Sequence, residues 1–189
     1  MALDSETRWR LARSAKANPV EPEAEPVIRP AIETDMPAVL EIYNYYIKNS
    51  VVTFDVDTMS LSDWIEKFRW IQGMKMPFLV CVSGNGNVLG FAYVAPWRQK
   101  AAYRRTVEDS IYLAPAAKGK RIGSRLMEAL IDASREAGIK EIVAVISDKG
   151  AEASIQLHER FGFEHQGHLG KVGFKFGRWL GTVLLQKSL

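Results

Sequence analysis

The sequence predicts one α/β domain in which helices flank a mixed β-sheet. Apolar runs of strand length and amphipathic stretches of helix length follow one another from residue 27 onward. Between residues 106 and 161 the order is strand, helix, strand, helix, which predicts a crossover unit with two parallel strands. The chain has 189 residues, of which 47% are hydrophobic and 25% charged, so it can bury one sizeable core.

Residues 1–26 precede the predicted domain, which spans residues 27–189. The segment is mixed in charge and then alternates proline with acidic residues in PVEPEAEP. This composition favours an extended, poorly packed chain. We therefore expect a flexible N-terminal tail.

The domain is predicted to begin with one strand and two helices. VIRPAI, at 27–32, is a short strand, and the amphipathic helix after it has Pro37 in its first turn. LSDWIEKFRWI, at 61–71, is a second amphipathic helix, with Ser60 or Ser62 available as its N-cap.

The middle of the chain is predicted to supply most of the sheet. PFLVCVS at 77–83 and NVLGFAYV at 87–94 are apolar runs that surround a Gly-Asn-Gly-Asn hairpin signal. TVEDSIYLAP at 106–115 is a third strand that ends at a proline. EIVAVIS at 141–147 is too uniformly apolar for a half-exposed strand, so we place it inside the sheet.

Two more helices and two short strands complete the prediction. IGSRLMEALIDASREAG has an apolar stripe at helical spacing and ends at Gly138. AEASIQLHERFGF, at 151–163, is a helix that runs into another glycine. Short strands are expected near 163–172 and 182–187.

The segment KGKRIGSR, at 118–125, places two glycines and four cations at the start of a predicted helix. A helix start exposes unpaired N–H groups and the positive end of the helix dipole, so it attracts phosphate where glycine allows a close approach. The spacing fits neither a Walker loop nor a dinucleotide fingerprint. A cap glycine followed by a solvated basic surface explains this segment equally well when it is taken alone.

The composition excludes several other classes of protein. A single cysteine, Cys81, rules out an intrachain disulfide framework and indicates a reducing compartment, so we expect a cytoplasmic protein. No apolar run approaches the length that crosses a bilayer. A net charge of +3 permits an anionic ligand without indicating nucleic acid. His165 and His168 have no further ligand pattern around them, so no metal is expected.

Several segments together resemble one superfamily. The order TVEDSIYL, basic glycine turn, helix, EIVAVIS and LHERFGF resembles the GNAT-type N-acetyltransferases. Within this superfamily the chain most resembles the phosphinothricin and methionine sulfoximine acetyltransferase group. The segments that carry this resemblance are PWRQKAAYRRTVEDS, SIQLHERFGF and VGFKFGRW. The resemblance runs from about residue 28 to residue 189. It implies a GNAT-like, mainly antiparallel sheet whose crossover unit binds acetyl-CoA.

The resemblance implies acetyl-CoA as cosubstrate and assigns residues to it. The strand before the turn pairs with the pantetheine arm, and the turn holds the pyrophosphate. The expected acetyl-CoA residues are Ile111, Tyr112, Leu113, Lys118, Gly119, Lys120, Arg121, Ile122, Gly123 and Ser124. The chain departs from the family pattern at Arg121, where a glycine is usual, at Ala151, where an asparagine is frequent, and at Gly181, where an aspartate is usual.

Two residues are candidates for proton transfer. An amine attacks a thioester only in its neutral form, so the reaction needs a proton acceptor, and the leaving thiolate benefits from a donor. Glu108 matches the acid of the family's TVE motif and is the candidate base, with a solvated strand carboxylate as the alternative. His158 lies where many members of the superfamily carry a proton-donating tyrosine, and a structural histidine is its alternative. Cys81 lies inside an apolar strand and is expected to pack as a small hydrophobe, not to carry the acyl group.

The acceptor side is expected to be aromatic and basic. The candidate substrate-binding residues are Phe54, Trp97, Arg98, Tyr103, Thr106 and Lys175. The resemblance implies transfer of an acetyl group to the amine of a small amino-acid analogue such as phosphinothricin or methionine sulfoximine, hence herbicide resistance, by a homodimer. Alternatives are another amine as acceptor (an amino acid, a polyamine or a peptide N-terminus), a non-catalytic acyl-CoA sensor, and a nucleic-acid binder that uses the basic residues.

Overall fold

The computed structural model of the protein describes residues 24–189. The strands are β1 (Val27–Pro30), β2 (Phe78–Val82), β3 (Val88–Pro96), β4 (Thr106–Leu113), β5 (Glu141–Ser147), β6 (Glu164–Lys175) and β7 (Arg178–Ser188). The helices are α1 (Met36–Asn49), α2 (Leu61–Gly73), α3 (Ile122–Glu136) and α4 (Glu152–Arg160), with single 3-10 turns at Glu33–Asp35, Ala101–Tyr103 and Pro115–Ala117. Most of the predicted tail lies outside the described residues.

The seven strands form one sheet in the order β1-β2-β3-β4-β5-β7-β6. Neighbouring strands are antiparallel except for β4 and β5, which are parallel and joined by α3. The predicted crossover unit and the interior position of β5 are therefore confirmed. The prediction of two short final strands is wrong. Strand β6 has 12 residues and β7 has 11, and they pair along a long hairpin.

Local signals fix the helix boundaries. Pro37 lies in the first turn of α1, where its missing N–H costs no helical hydrogen bond. Ser60 is the N-cap of α2, and its Oγ accepts a hydrogen bond from the backbone N–H of Asp63 at 3.2 Å. Gly138 follows α3 with φ 78°, a left-handed conformation that glycine adopts without a steric penalty.

Helices cover both faces of the sheet, and each face has its own core. Helices α1 and α2 pack Tyr43, Trp64 and Phe68 against Phe78 and Phe91. On the other face, α3 and α4 pack against the alternate residues of the same strands. The side chains that form this second core include Leu79, Cys81, Ala92, Val94, Val107, Leu126, Leu130, Ile142 and Leu157. The two-residue period of the strands thus divides their apolar side chains between two layers of helices.

The parallel pair β4 and β5 separates soon after it begins. Thr106, Val107 and Glu108 pair with the first three residues of β5. In the described chain the two strands have no paired residues beyond that point, although β4 continues to Leu113 and β5 to Ser147. A wedge-shaped opening therefore lies in the middle of the sheet.

Candidate acetyltransferase site

The opening between β4 and β5 is a cleft of about 810 Å³. It is lined by the diverging ends of the two strands, the first turns of α3 and α4, and the segment 52–55. Because β4 has no partner on this side beyond Glu108, its backbone offers an open edge to an extended, amide-bearing ligand. The Tyr46 hydroxyl fixes the end of this edge by donating to the Leu113 carbonyl at 2.7 Å.

The basic turn lies at one end of this cleft. Lys118, Gly119 and Arg121 line it together with the first residues of α3. The N-cap residue Arg121 makes no side-chain capping hydrogen bond, so no side-chain cap occupies the first N–H groups of the helix. Apart from its chain neighbours, a Cβ atom at Gly119 would meet no atom of residues 24–189 within 4 Å, and one at Gly123 would make only ordinary contacts at 3.6 Å. The glycines therefore leave open space in front of a helix N-terminus, which fits a pyrophosphate.

Nine of the ten residues that were expected to bind acetyl-CoA line the cleft, and Lys120 is the exception. Lys120 is exposed on the turn and does not reach the lining. Lys118 lies beside Tyr46, with its Nζ 5.3 Å from the ring centroid. The basic glycine turn thus forms one wall of a large opening in the fold.

Glu108 lines the cleft and is the last residue of β4 that pairs with β5. Burial raises the pKa of its carboxyl, and the negative charge of Asp109 adds to this rise. The positive charges of Lys67 and Arg98 act in the opposite direction. A carboxylate with a raised pKa accepts a proton more readily, and it remains useful as a base when that pKa approaches the working pH. Glu108 is therefore a cleft-lining carboxylate with an increased proton affinity.

His158 and Asp109 form a buried pair on the other face of β4. His158 Nε2 lies 2.9 Å from Oδ2 of Asp109, and the two side chains are 3% and 1% exposed. His158 Nδ1 lies 2.7 Å from the carbonyl oxygen of Ser154 and must donate to it, because a carbonyl only accepts. With Nδ1 protonated, donation to an Asp109 carboxylate requires a second proton on Nε2. The geometry is that of an imidazolium–carboxylate pair.

The electrostatics of His158 agree with this assignment. Burial by itself lowers the pKa of the imidazole, but the charge of Asp109 and the hydrogen bonds to Asp109 and Ser154 outweigh burial, so the pKa is raised. Both ring nitrogens are occupied, and donation of a proton to a ligand would require Nε2 to exchange one partner for another. The second carboxylate oxygen of Asp109, Oδ1, is buried without a hydrogen-bond partner among the described residues.

The segment 52–55 forms another wall of the cleft. The Tyr43 hydroxyl donates to the carboxylate of Asp55 and lies 3.2 Å from the hydroxyl of Thr53. Phe54 lines the cleft and packs on the β6–β7 hairpin, where a Cβ atom at Gly173 would lie 2.5 Å from its ring. Glycine at 173 is therefore what allows the ring to pack so closely.

The other five residues expected to bind substrate do not line the cleft. Trp97, Arg98 and Tyr103 belong to the connection between β3 and β4, and Arg98 lies 5.0 Å above the Trp97 ring. Thr106 begins β4. Lys175 is 4% exposed, and its Nζ donates to the Thr53 carbonyl at 2.8 Å, so it holds the segment 52–55 in place without lining the cleft. Burial lowers the pKa of Lys175.

Sequence reasoning missed several polar residues of the cleft, and three of them are Lys67, Tyr93 and Asp109. A usable signal existed for two of them. Lys67 is three residues after Trp64 on the buried stripe of α2, and Asp109 shares the inward face of β4 with apolar residues. A charged residue on an otherwise apolar face is uncommon unless it has a partner or a function.

The three departures from the family pattern lie in different structural settings. Arg121 has φ 59°, a left-handed conformation that favours glycine. Gly181 accommodates the carboxylate of Asp148, because its N–H donates to Asp148 Oδ1 at 2.9 Å and a Cβ atom there would lie 2.5 Å from Oδ2. Ala151 is buried at the cleft, at the N-terminus of α4.

The remaining candidates have other surroundings. Cys81 is fully buried in the core, and burial raises the pKa of its thiol, as expected for a structural cysteine. His165 and His168 contact separate carboxylates, those of Glu159 and Asp148. Within residues 24–189, no helix is long and apolar enough to cross a membrane.

An open strand edge, a helix N-terminus and a partly buried carboxylate meet at one cleft, an arrangement suited to an extended ligand that carries phosphate. Residues 39–163 match the sequence model of the Acetyltransferase (GNAT) family. The chain belongs to this family and is an acetyl-CoA-dependent N-acetyltransferase. The predicted GNAT-like fold is confirmed.

Several relatives within this family are similar to the chain over most of its length. The chain is 35% identical to a phosphinothricin N-acetyltransferase of Alcaligenes faecalis over 86% of this chain and 82% of that one. It is 39% identical to an L-methionine sulfoximine/L-methionine sulfone acetyltransferase of Pseudomonas paraeruginosa over 86% and 94% of the two chains. A GNAT phosphinothricin acetyltransferase from Sinorhizobium meliloti, solved in complex with acetyl-CoA, superimposes with a TM-score of 0.83 at 39% identity, covering 87% and 88% of the two chains.

Proposed function

We propose that the protein transfers the acetyl group of acetyl-CoA to the α-amino group of a small amino-acid analogue such as phosphinothricin or methionine sulfoximine. The observation that carries the proposal is the position of Glu108, a partly buried carboxylate with a raised pKa where β4 and β5 separate. The names of the relatives support this acceptor class. Acetylation removes the positive charge of the amine, so the activity would inactivate such herbicide-like compounds.

In this proposal the cleft holds acetyl-CoA along β4. The backbone of residues 111–113 pairs with the pantetheine amides, and residues 118–124 surround the pyrophosphate through backbone N–H groups and nearby cations. This placement directs the thioester toward Glu108. Phe54 and the segment around it hold the acceptor on the opposite side.

Glu108 then removes a proton from the acceptor ammonium, directly or through a water molecule, and the neutral amine attacks the thioester carbonyl carbon. The C–N bond forms and the C–S bond breaks, so the thiolate needs one proton. His158 is the proposed donor. In the described structure both of its ring nitrogens are bonded, so donation requires Nε2–H to leave Asp109 for the sulfur.

We also propose that the protein is a cytoplasmic homodimer. The β6–β7 hairpin presents a set of exposed apolar side chains that a second subunit could cover. They are Leu169, Val172, Phe174, Phe176 and Trp179, each more than half exposed. Phe174 and Trp179 face each other across the hairpin with ring centroids 5.4 Å apart. An apolar patch of this kind on a polar protein is typical of a protein interface.

The test is CoA release with a panel of acceptors. It contains phosphinothricin, methionine sulfoximine, methionine sulfone, the common amino acids, spermidine and a short peptide. Turnover confined to the tetrahedral glutamate analogues supports the proposed acceptor. Turnover only with the other amines overturns it and leaves the acetyltransferase activity in place, while binding of acetyl-CoA without any turnover would favour an acyl-CoA sensor.

The role of Glu108 is tested in the same assay with Glu108→Gln. We expect kcat/KM to fall by about 10²- to 10⁴-fold, the usual contribution of a general base. The decline of wild-type kcat/KM on the acid side, which reports protonation of the base, should disappear in the variant. Unchanged turnover in Glu108→Gln would exclude Glu108 as the base.

A further inference from the structure

Lys67 is a lysine on the buried stripe of α2 that lines the acceptor end of the cleft. Its Nζ donates to the Tyr93 hydroxyl at 2.8 Å. The same nitrogen lies 4.9 Å from the ring centroids of both Trp64 and Tyr93, and 5.7 Å from that of Tyr43. The aromatic rings stabilise the cation and fix its position at the edge of the cleft.

The ammonium group has unused capacity for an anion. Within residues 24–189 Lys67 forms no salt bridge with a carboxylate. An ammonium group has three N–H donors. In the described chain the Lys67 ammonium forms a single side-chain hydrogen bond, to Tyr93. A partly buried cation that contacts aromatic rings and forms no salt bridge among the described residues is suited to a charged oxygen from outside the protein.

Lys67 and Glu108 face the same space. Tyr93 pairs with Ser110 across β3 and β4, and Glu108 is two residues from Ser110, so Tyr93 and Glu108 are diagonal neighbours on one face of the sheet. The charge of Lys67 acts on the Glu108 carboxyl. The proposed base and the ring-bound ammonium therefore lie on the same side of the acceptor position.

In an α-amino acid, the amine and the carboxylate are attached to the same carbon atom. An amine that lies against Glu108 therefore carries its carboxylate within a few ångströms of the base. We infer that Lys67 binds the α-carboxylate of the acceptor and restricts the acceptors to α-amino acids and their analogues. This inference rests on the proposed function, and it assigns the substrate class to a residue of this chain.

The experiment compares two acceptors that differ only in the carboxylate. Methionine sulfone carries it, and 3-(methylsulfonyl)propan-1-amine is the same molecule with hydrogen in its place. Lys67→Met keeps an unbranched apolar stem between the rings and removes the charge. Arg69→Met is the matched control, because it removes a cation two residues further along α2, where Arg69 is exposed and pairs with Glu33. All proteins are assayed at the same alkaline pH, which favours the ionised form of Glu108.

We expect Lys67→Met to lose about 10- to 100-fold in kcat/KM for methionine sulfone, mainly through KM, which is the usual effect of removing a hydrogen bond to a charged group. The decarboxylated amine should be acetylated equally well by the variant and the wild type, and Arg69→Met should match the wild type with both acceptors. Lys67→Arg should keep part of the preference for the acid.

Equal losses with both acceptors would overturn the inference, because they would place the effect of Lys67 on Glu108 or on folding. A wild-type enzyme that acetylates both acceptors equally well would also overturn it. Wild-type protein that acetylates neither compound is a different result, which rejects the proposed function itself. Thermal unfolding of each variant identifies any loss that comes from the fold.

Discussion

The buried pair of Asp109 and His158 gives a quantitative test of the electrostatics of the cleft. Asp109→Asn keeps the shape of the side chain and removes its charge. The wild-type imidazolium donates to a carboxylate, whereas a neutral ring in the variant can only accept from the asparagine amide at Nε2. Hydrogen bonds to charged groups contribute about 1.5–3 kcal/mol and neutral ones about 0.5–1.5 kcal/mol. We therefore expect Asp109→Asn to lower the free energy of unfolding by about 1–2 kcal/mol at mildly acidic pH. Asp109→Ala, which leaves His158 without a partner, should cost about 3–5 kcal/mol.

The cost of Asp109→Asn should decrease as the pH rises. Since the pKa of His158 is raised in the folded protein, the stabilisation by the pair is complete below the unfolded pKa of about 6.5 and is lost as the pH rises through the folded value. In the variant no negative charge offsets burial, so the folded pKa should lie below that of the wild type. The stability difference should shrink by about 1.4 kcal/mol for each unit that separates the two folded pKa values.

The measurement is urea unfolding followed by tryptophan fluorescence, at several pH values from about 5.5 to about 9. The free energy of unfolding comes from linear extrapolation at each pH. A difference between wild type and Asp109→Asn that stays constant, or that grows toward alkaline pH, would refute the assignment of an imidazolium–carboxylate pair.

Two further predictions concern the turn and the hairpin. Arg121→Gly should raise the free energy of unfolding by about 1 kcal/mol, because φ 59° is unfavourable for arginine and free for glycine. If the arginine side chain also binds phosphate, calorimetric titration should show acetyl-CoA binding weakened by up to about tenfold, and unchanged affinity would show that the arginine is merely tolerated. The double variant Phe174→Ser and Trp179→Ser should convert a dimer to a monomer in light scattering after size-exclusion chromatography. A wild-type protein that is already monomeric would reject the homodimer.

Much of the fold could be predicted from the sequence because its signals are local. The continuous apolar run in EIVAVIS, the helical stripe after residue 122 and the stop at Gly138 each depend on residues close together in the chain. The crossover unit follows from the order of these elements. The basic glycine turn and Glu108 were found in the same way, because each belongs to a short motif with its own chemistry.

The tertiary structure decided which side chains meet. His158 contacts Asp109 across 49 residues, and Lys175 contacts Thr53 across 122. Trp97, Arg98 and Tyr103 belong to a motif-rich segment and yet lie outside the cleft lining, whereas Lys67, on a separate helix, reaches it. The length of the final hairpin was also underestimated, since Gly167, Gly170 and Gly173 interrupt its apolar pattern. Strand pairing and burial against distant elements depend on residues far apart in the chain. The sequence by itself therefore determined the secondary-structure elements and the motif residues. The tertiary packing determined which neighbours surround each motif residue, and these neighbours set its charge and orientation.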